Sequence, residues 1–233
     1  MYKRQDFTDI NSLYVEEDFT TPVANDLDEI GAVLDKSGNG RHLTQGTSTA
    51  RALYRTSQVN RLSAAAFGSS GSGAVDDYYD ISNPGILNAN WTILVTSVVN
   101  TAASKAILGS ANNGWREFFD GSELYTGGKT SVANVYASSV GLTAAAWSVV
   151  YAMYEGSDRA HIEFAGVNRS PTNNSVTGQV MTVNTALFGA LTGPGSFYDG
   201  FIAECIKGGG RYGYEAMKHI LRSYISPKYN LAA

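Results

Sequence analysis

The sequence predicts an all-β chain, a two-sheet antiparallel β-sandwich with one C-terminal amphipathic helix. Three observations carry this. Runs such as Trp91–Val99 and Arg159–Phe164 alternate apolar with polar residues, the period of a strand with one buried face. Gly stands at 25 and Tyr at 14 in 233 residues, a blend suited to short strands joined by tight turns. Charged residues make up only 16% against 43% hydrophobic, too little charge for a disordered or coiled-coil chain.

Taken in order, residues 1–30 are polar and irregular. Tyr2, Phe7, Ile10, Leu13, Tyr14 and Phe19 recur without a clean period, which reads as a short helical or extended lead-in arm. Asp35-Lys36-Ser37-Gly38-Asn39-Gly40 is a turn cluster in which Asp35 bonds the backbone that follows it. Arg41–Tyr54 reads as extended. Ser69-Ser70-Gly71-Ser72-Gly73 reads as a surface loop. Trp91, Ile93 and Val95 fall on one face of a strand, as do Trp147, Val149, Tyr151 and Met153 of the next, and Ala160, Ile162 and Phe164 point inward in a third. Phe201–Lys207 is apolar on nearly both sides, as a central strand would be. Asn112-Asn113-Gly114, Asp120-Gly121, Gly127-Gly128, Pro194-Gly195 and Asp199-Gly200 supply turns. From Tyr214 to Ile225, an apolar stripe of Tyr214, Met217, Leu221, Tyr224 and Ile225 opposes Glu215, Lys218, His219 and Arg222. That pattern predicts a helix stopped near Pro227 and closing an edge or end of the sandwich.

A net charge of -4 without a Lys/Arg cluster argues against nucleic acid. The single cysteine, Cys205, forbids an internal disulfide and reads as a small buried hydrophobe. No apolar run reaches membrane-spanning length and no signal peptide is visible, so neither membrane insertion nor a leader is expected.

Several segments resemble a known family. They are Thr20-Thr21-Pro22-Val23, Gly31–Leu34, the run from Asp35 to Gln45, Ser48–Tyr54, Ala74-Val75-Asp76-Asp77-Tyr78 and Asp199-Gly200-Phe201-Ile202-Ala203-Glu204. Together with the closing segment through Tyr224, Lys228 and Tyr229, they resemble concanavalin A-like (laminin-G-like) jelly-roll domains of bacteriophage tail and virion proteins. Ala74 stands where that family usually has Gly, and a Ser/Gly insertion precedes it. The resemblance spans roughly residues 15–231. It implies a lead-in at 1–30 followed by a jelly-roll domain at 31–233, within a family that includes carbohydrate binders, adhesion modules and virion components. The fold alone does not choose among these.

A glycosidase needs two facing carboxylates. The strands offer Glu163 and Glu204 singly, and Glu204 reads as a buried carboxylate bonded to backbone or arginine. No enzyme activity is expected. Asp76 and Asp77, with Asp80 and Asn83 nearby, are the residues that Ca²⁺ would use, although no ligand spacing of an ion-binding loop is present and no cofactor is expected. His42, His161 and His219 are scattered, without zinc spacing. Trp115, Phe119, Tyr125 and Tyr136, with Phe118, are the candidate ligand-binding aromatics, the alternative being core packing. The expected role is that of a non-enzymatic virion structural protein, a decoration, head or tail subunit, located in the virion. Its expected partners are other virion proteins, copies of itself and a host-surface glycan. The competing role is a lectin-like receptor-binding module.

Overall fold

The computed structural model of the chain describes residues 2–68, 76–81, 89–99, 105–109, 115–120, 123–129, 134–140, 143–155, 159–164, 167–169, 187–190, 196–209 and 214–231. In chain order the strands are β1 (Tyr2–Asp6), β2 (Leu13–Tyr14), β3 (Ala32–Val33), β4 (Leu43–Thr44), β5 (Leu53–Val59), β6 (Leu62–Phe67), β7 (Tyr79–Ile81), β8 (Ala89–Val98) and β9 (Lys105–Gly109). They continue as β10 (Trp115–Asp120), β11 (Glu123–Lys129), β12 (Asn134–Val140), β13 (Trp147–Glu155), β14 (Arg159–Phe164), β15 (Val167–Arg169), β16 (Leu187–Phe188) and β17 (Gly200–Gly209).

Two antiparallel sheets result. One runs β15-β14-β13-β8-β17-β6-β5, with β1 as its eighth strand, and the other runs β12-β11-β10-β9-β16-β7-β4-β3-β2. The expected all-β sandwich is therefore the observed one. Between the sheets lies a core that includes Phe7, Leu13, Leu43, Tyr79, Phe188, Phe67, Leu94, Val150, Ile202 and Cys205. Tyr79 also ties the layers by polar contact. Its hydroxyl donates to Ile30 O at 2.7 Å and accepts from Ala52 N at 3.2 Å.

Central strand β17 is paired along both edges. One edge carries β8, and the other is shared by β6 near Gly200 and β1 near Glu204. Residues 2–30, read from sequence as a lead-in, thus enter both sheets, and Phe7, Leu13 and Ile30 are fully buried.

The alternation in β8 and β13 serves two cores. Leu94 and Val150 face the other sheet. Trp91, Ile93, Val95, Val149 and Tyr151 face outward, against Met217, Leu221, Ile225 and Tyr229 of the C-terminal helix. Residues Ile162 and Phe164 pair with Ala152 and Val150, at inward positions as the alternation predicts. At its C-terminal end the helix meets the β5–β6 edge of the eight-stranded sheet, where Asn60 Nδ2 donates to Lys228 O at 2.9 Å. It covers the outer face of the eight-stranded sheet, because that face supplies the apolar partners its stripe needs. Gly208 admits Trp91 there, since a Cβ at Gly208 would sit 2.2 Å from the indole.

The helix stops near Pro227, two residues beyond it. It comprises α1 (Tyr214–Ile220), a π turn (Leu221–Ile225) and α2 (Ser226–Tyr229), and ends at Asn230 in the left-handed region (φ 53). The wide turn, with Ser226 N–H bonded to Leu221 O, loosens the ladder ahead of a residue that has no N–H to give. Proline then sits in the first turn of α2, where it is tolerated. Within the stretch read as extended, Ser48–Ala50 form a 3-10 turn. The Arg51 guanidinium donates to Gln45 O, and Gln45 accepts from Thr47 N, folding the chain back on itself.

Candidate functional site

Three places gather polar or aromatic chemistry. The first lies where β1, β17 and the C-terminal helix meet. Register sets Asp6 opposite Glu204 and Arg4 opposite Ile206. Glu204, fully buried, accepts from Arg4 Nε at 2.6 Å, Lys228 Nζ at 2.9 Å and the Tyr229 hydroxyl at 2.6 Å. The Tyr224 hydroxyl donates to it at 3.1 Å. Asp6 accepts from Arg4 Nη2 at 3.0 Å and from Lys228 Nζ at 2.9 Å. Arg4 also bonds the Tyr224 hydroxyl and lies 4.8 Å from the centre of that ring. Burial works to raise the Asp6 carboxyl, but Lys228, Thr8 and Arg4 outweigh it and hold the group below the usual carboxylate range. Two carboxylates and two cations thus close on one another. Glu204 is fully engaged by structural partners, which is how a buried charge is tolerated.

The second place is Asp77. It is fully buried while its neighbour Asp76 is exposed, so the two carboxylates do not act together. Asp77 Oδ2 accepts from Gly68 N at 2.7 Å, and its Oδ1 is buried without a partner. Burial, with the nearby charges of Asp76 and Asp199, pushes the group up to about 7 against the opposing Gly68 bond. Among the described residues no group of three or more His, Cys, Asp or Glu assembles as a metal site. Asn83 lies outside the described residues.

The third place is the outer face of the nine-stranded sheet. Its core-facing positions are fixed by Leu13, Val33, Leu43, Tyr79, Phe188 and Leu108. The residues next to them along each strand therefore lie on the far side. Register links these into one row across every strand. Tyr14 stands opposite Ala32, Ala32 opposite Thr44, Thr44 opposite Asp80, and Asp80 opposite Leu187. The row continues from Leu187 to Gly109, Arg116, Gly127 and Tyr136. Asp80 is exposed, and Tyr14, Thr44 and Leu187 are partly so.

At the Tyr14 end the ring of Phe19 meets Tyr14 edge-on at 5.5 Å and His42 at 5.2 Å. His42 Nδ1 accepts from Asp35 N at 3.0 Å, which fixes the ring. Asp35 also binds Ser37 N and Arg41 N, as the turn motif predicts. Burial would raise the Asp35 carboxyl, but backbone donors from Arg4, Ser37 and Arg41 hold it low. Phe19 sits at φ 62, a strained conformation for a bulky side chain.

At the other end the register sorts the candidate aromatics. Phe118 stands opposite Tyr125 and Arg116 opposite Gly127, so Phe118, Tyr125 and Tyr136 take outer-face positions. Trp115 and Phe119 alternate with them and take positions toward the other sheet. The side chains of β10, β11 and β12 lie outside the described atoms. The sequence reading did not single out Tyr14, Phe19 and His42 as a group. The signal available was that Tyr14 and Phe19 fit no core period.

No protein-family model and no curated protein matches the chain. Solved structures match its fold. The botulinum neurotoxin serotype D binding domain aligns over 83% of this chain and 48% of its own, at 13% identity and TM-score 0.61. A botulinum neurotoxin type C structure, whose cell entry depends on interaction with two ganglioside molecules, aligns over 82% and 48%, at 10% identity and TM-score 0.54. An arabinofuranosidase complexed with arabinofuranosyl-alpha-1,2-xylobiose aligns over 88% and 52%, at 12% identity and TM-score 0.61. The chain spans about half the length of these structures, and at such identity the likeness is one of fold.

Proposed function

We propose that the chain is a non-catalytic carbohydrate-binding module whose glycan lies on the outer face of the nine-stranded sheet. The observation that carries this reading is the row from Tyr14 to Tyr136, in which Tyr14, Thr44, Asp80, Arg116 and Tyr136 share one sheet face with Ala32, Leu187, Gly109 and Gly127 between them. Aromatic rings stack on the apolar faces of sugars while neighbouring polar groups bond the hydroxyls. Support comes also from sandwich structures of like fold that bind sugars and gangliosides, and from the full occupation of Glu204 by structural partners.

A glycan array with the full chain tests the reading, followed by titration of the best binder against Tyr125→Ala/Tyr136→Ala. The expected result is at least about a tenfold loss of affinity with an unchanged melting temperature. Absence of any glycan bound by the wild-type chain sinks the proposal.

The setting in which the module works is proposed on the sequence resemblance alone. We place it in a bacteriophage virion, as an accessory head or tail subunit that carries the glycan-binding face outward. Mass spectrometry of purified particles checks this, and a chain missing from every particle fraction removes it.

A further inference from the structure

We infer that Asp80 anchors the glycan, and that the sugar held there is uncharged and donates its hydroxyls to that carboxylate. This rests on the carbohydrate-binding reading above and names the subsite and ligand class of that same face.

Asp80 stands inside the nine-stranded sheet, on β7 between β4 and β16, with Thr44 opposite it on one side and Leu187 on the other. Aspartate is disfavoured within strands. Where this chain uses an acid for structure, it supplies donors. Asp35 takes bonds from Ser37 N and Arg41 N, and Glu204 from Arg4 and Lys228. Asp80 is exposed, and among the described residues no donor bonds or pairs with its carboxylate.

Aromatic rings stand beside it. Tyr79 and Tyr198 face the core, so their neighbours Tyr78 and Phe197 take the outer side, as Asp80 does. The rings of Tyr78 and Phe197, both partly exposed, lie 6.2 Å apart at 37°. Tyr78 is two residues from Asp80 along β7, about 6.7 Å. A sugar stacked on that ring pair lies within reach of the carboxylate, and Thr44 adds a hydroxyl one strand spacing away, about 4.8 Å.

The charge around the site decides the class of sugar. Beside β4, a Cβ at Gly46 would sit 2.7 Å from Glu17 Oε2, so that exposed carboxylate lies against the strand. The buried Arg51 guanidinium also reaches Gly46 O, but Glu16 and Glu29 already answer its charge. The row's one basic position, Arg116, is three strands from Asp80, about 14 Å, beyond the screening length of about 8 Å at physiological salt. A carboxylated or sulfated sugar would therefore meet like charge here. An ammonium would find an exposed carboxylate, a pairing that water and salt weaken. A sugar hydroxyl donates where a carboxylate only accepts, and such charge-assisted bonds are about twice as strong as neutral ones.

The test titrates the full chain with trigalacturonate against its methyl ester and with the glucosamine trimer against its N-acetylated form. Galactotriose, cellotriose and mannotriose complete the set. The expected result is that an uncharged sugar binds most tightly and that neither charged sugar binds better than its uncharged counterpart. Asp80→Asn lowers affinity for the tightest sugar at least about tenfold, and Thr44→Val lowers it by about threefold, both with an unchanged melting temperature. An unaffected Asp80→Asn overturns the inference, as does tighter binding of the acid than of its ester, or of the amine than of its acetamide. In those cases the carbohydrate-binding reading stands. A wild-type chain that binds no sugar brings down both. Should Asp80→Asn fail to fold, the Thr44→Val titration and the two paired comparisons decide.

Discussion

Glu204 reads from sequence as a buried carboxylate bonded to backbone or arginine, and in the fold it accepts from Arg4. Here it is the hub that joins β1 to the C-terminal helix through Arg4, Lys228, Tyr224 and Tyr229. Glu204→Gln is expected to cost about 3 kcal/mol or more in denaturant unfolding, because two cations lose their buried partner. Asp77 acts with the opposite sign. Its folded pKa of about 7 lies above the ordinary 3.8, so the folded state holds the proton more tightly than the unfolded chain. That contribution to stability is complete below about pH 4 and is lost as pH rises toward 7. Asp77→Asn is therefore expected to raise the melting temperature by a few degrees at pH 8, with the gain vanishing near pH 4. Asp6 and Asp35 are held low, so their contribution is present above the ordinary carboxylate pKa and is lost as pH falls through their depressed values. A melting curve that is flat between pH 2 and pH 4 contradicts that assignment.

At the scale of the element, the strongest sequence patterns became the most buried strands. Trp91–Val99 and Trp147–Tyr154 hold the consecutive apolar runs Ile93-Leu94-Val95 and Val149-Val150-Tyr151-Ala152 because each face of β8 and β13 has its own core. By contrast β1 was illegible. Tyr2-Lys3-Arg4-Gln5-Asp6 has no apolar period, and Arg4 and Asp6 meet Glu204 and Lys228, residues some 200 positions away. The helix was legible from its stripe, but its passage through Pro227 depends on a π turn that no residue pattern announces. Of the candidate aromatics, the sequence named Tyr125 and Tyr136 without separating them from Trp115 and Phe119. Only strand register divides one face from the other. Gly208→Ala tests the packing of these elements. Its methyl meets the Trp91 indole, and a loss of about 1–3 kcal/mol is expected, against none if the ring can slide aside.

The whole molecule is layered, with the nine-stranded sheet, the eight-stranded sheet and the helix packed in that order. The helix hides the outer face of one sheet, while the outer face of the other carries Asp80, Tyr14 and Thr44 at its surface. Alternation, turn residues and composition together predicted the sandwich, because these signals are local. It could not say which outer face is covered, because that choice is made by packing between distant segments. Deleting residues 214–233 is expected to expose Trp91, Ile93 and Val149, seen as strong binding of a hydrophobic dye and loss of cooperative unfolding. A truncated chain that melts like the whole one contradicts the layered account. The central claim concerns the other face. Its most direct test is amide chemical-shift mapping of the isotope-labelled chain as the best-binding glycan is added. The account expects shifts around Tyr14, Phe19, Thr44 and Asp80 and along Arg116–Tyr136, with Trp91–Val95 and Ala203–Gly208 unmoved. Shifts confined to the helix and the sheet beneath it would contradict it.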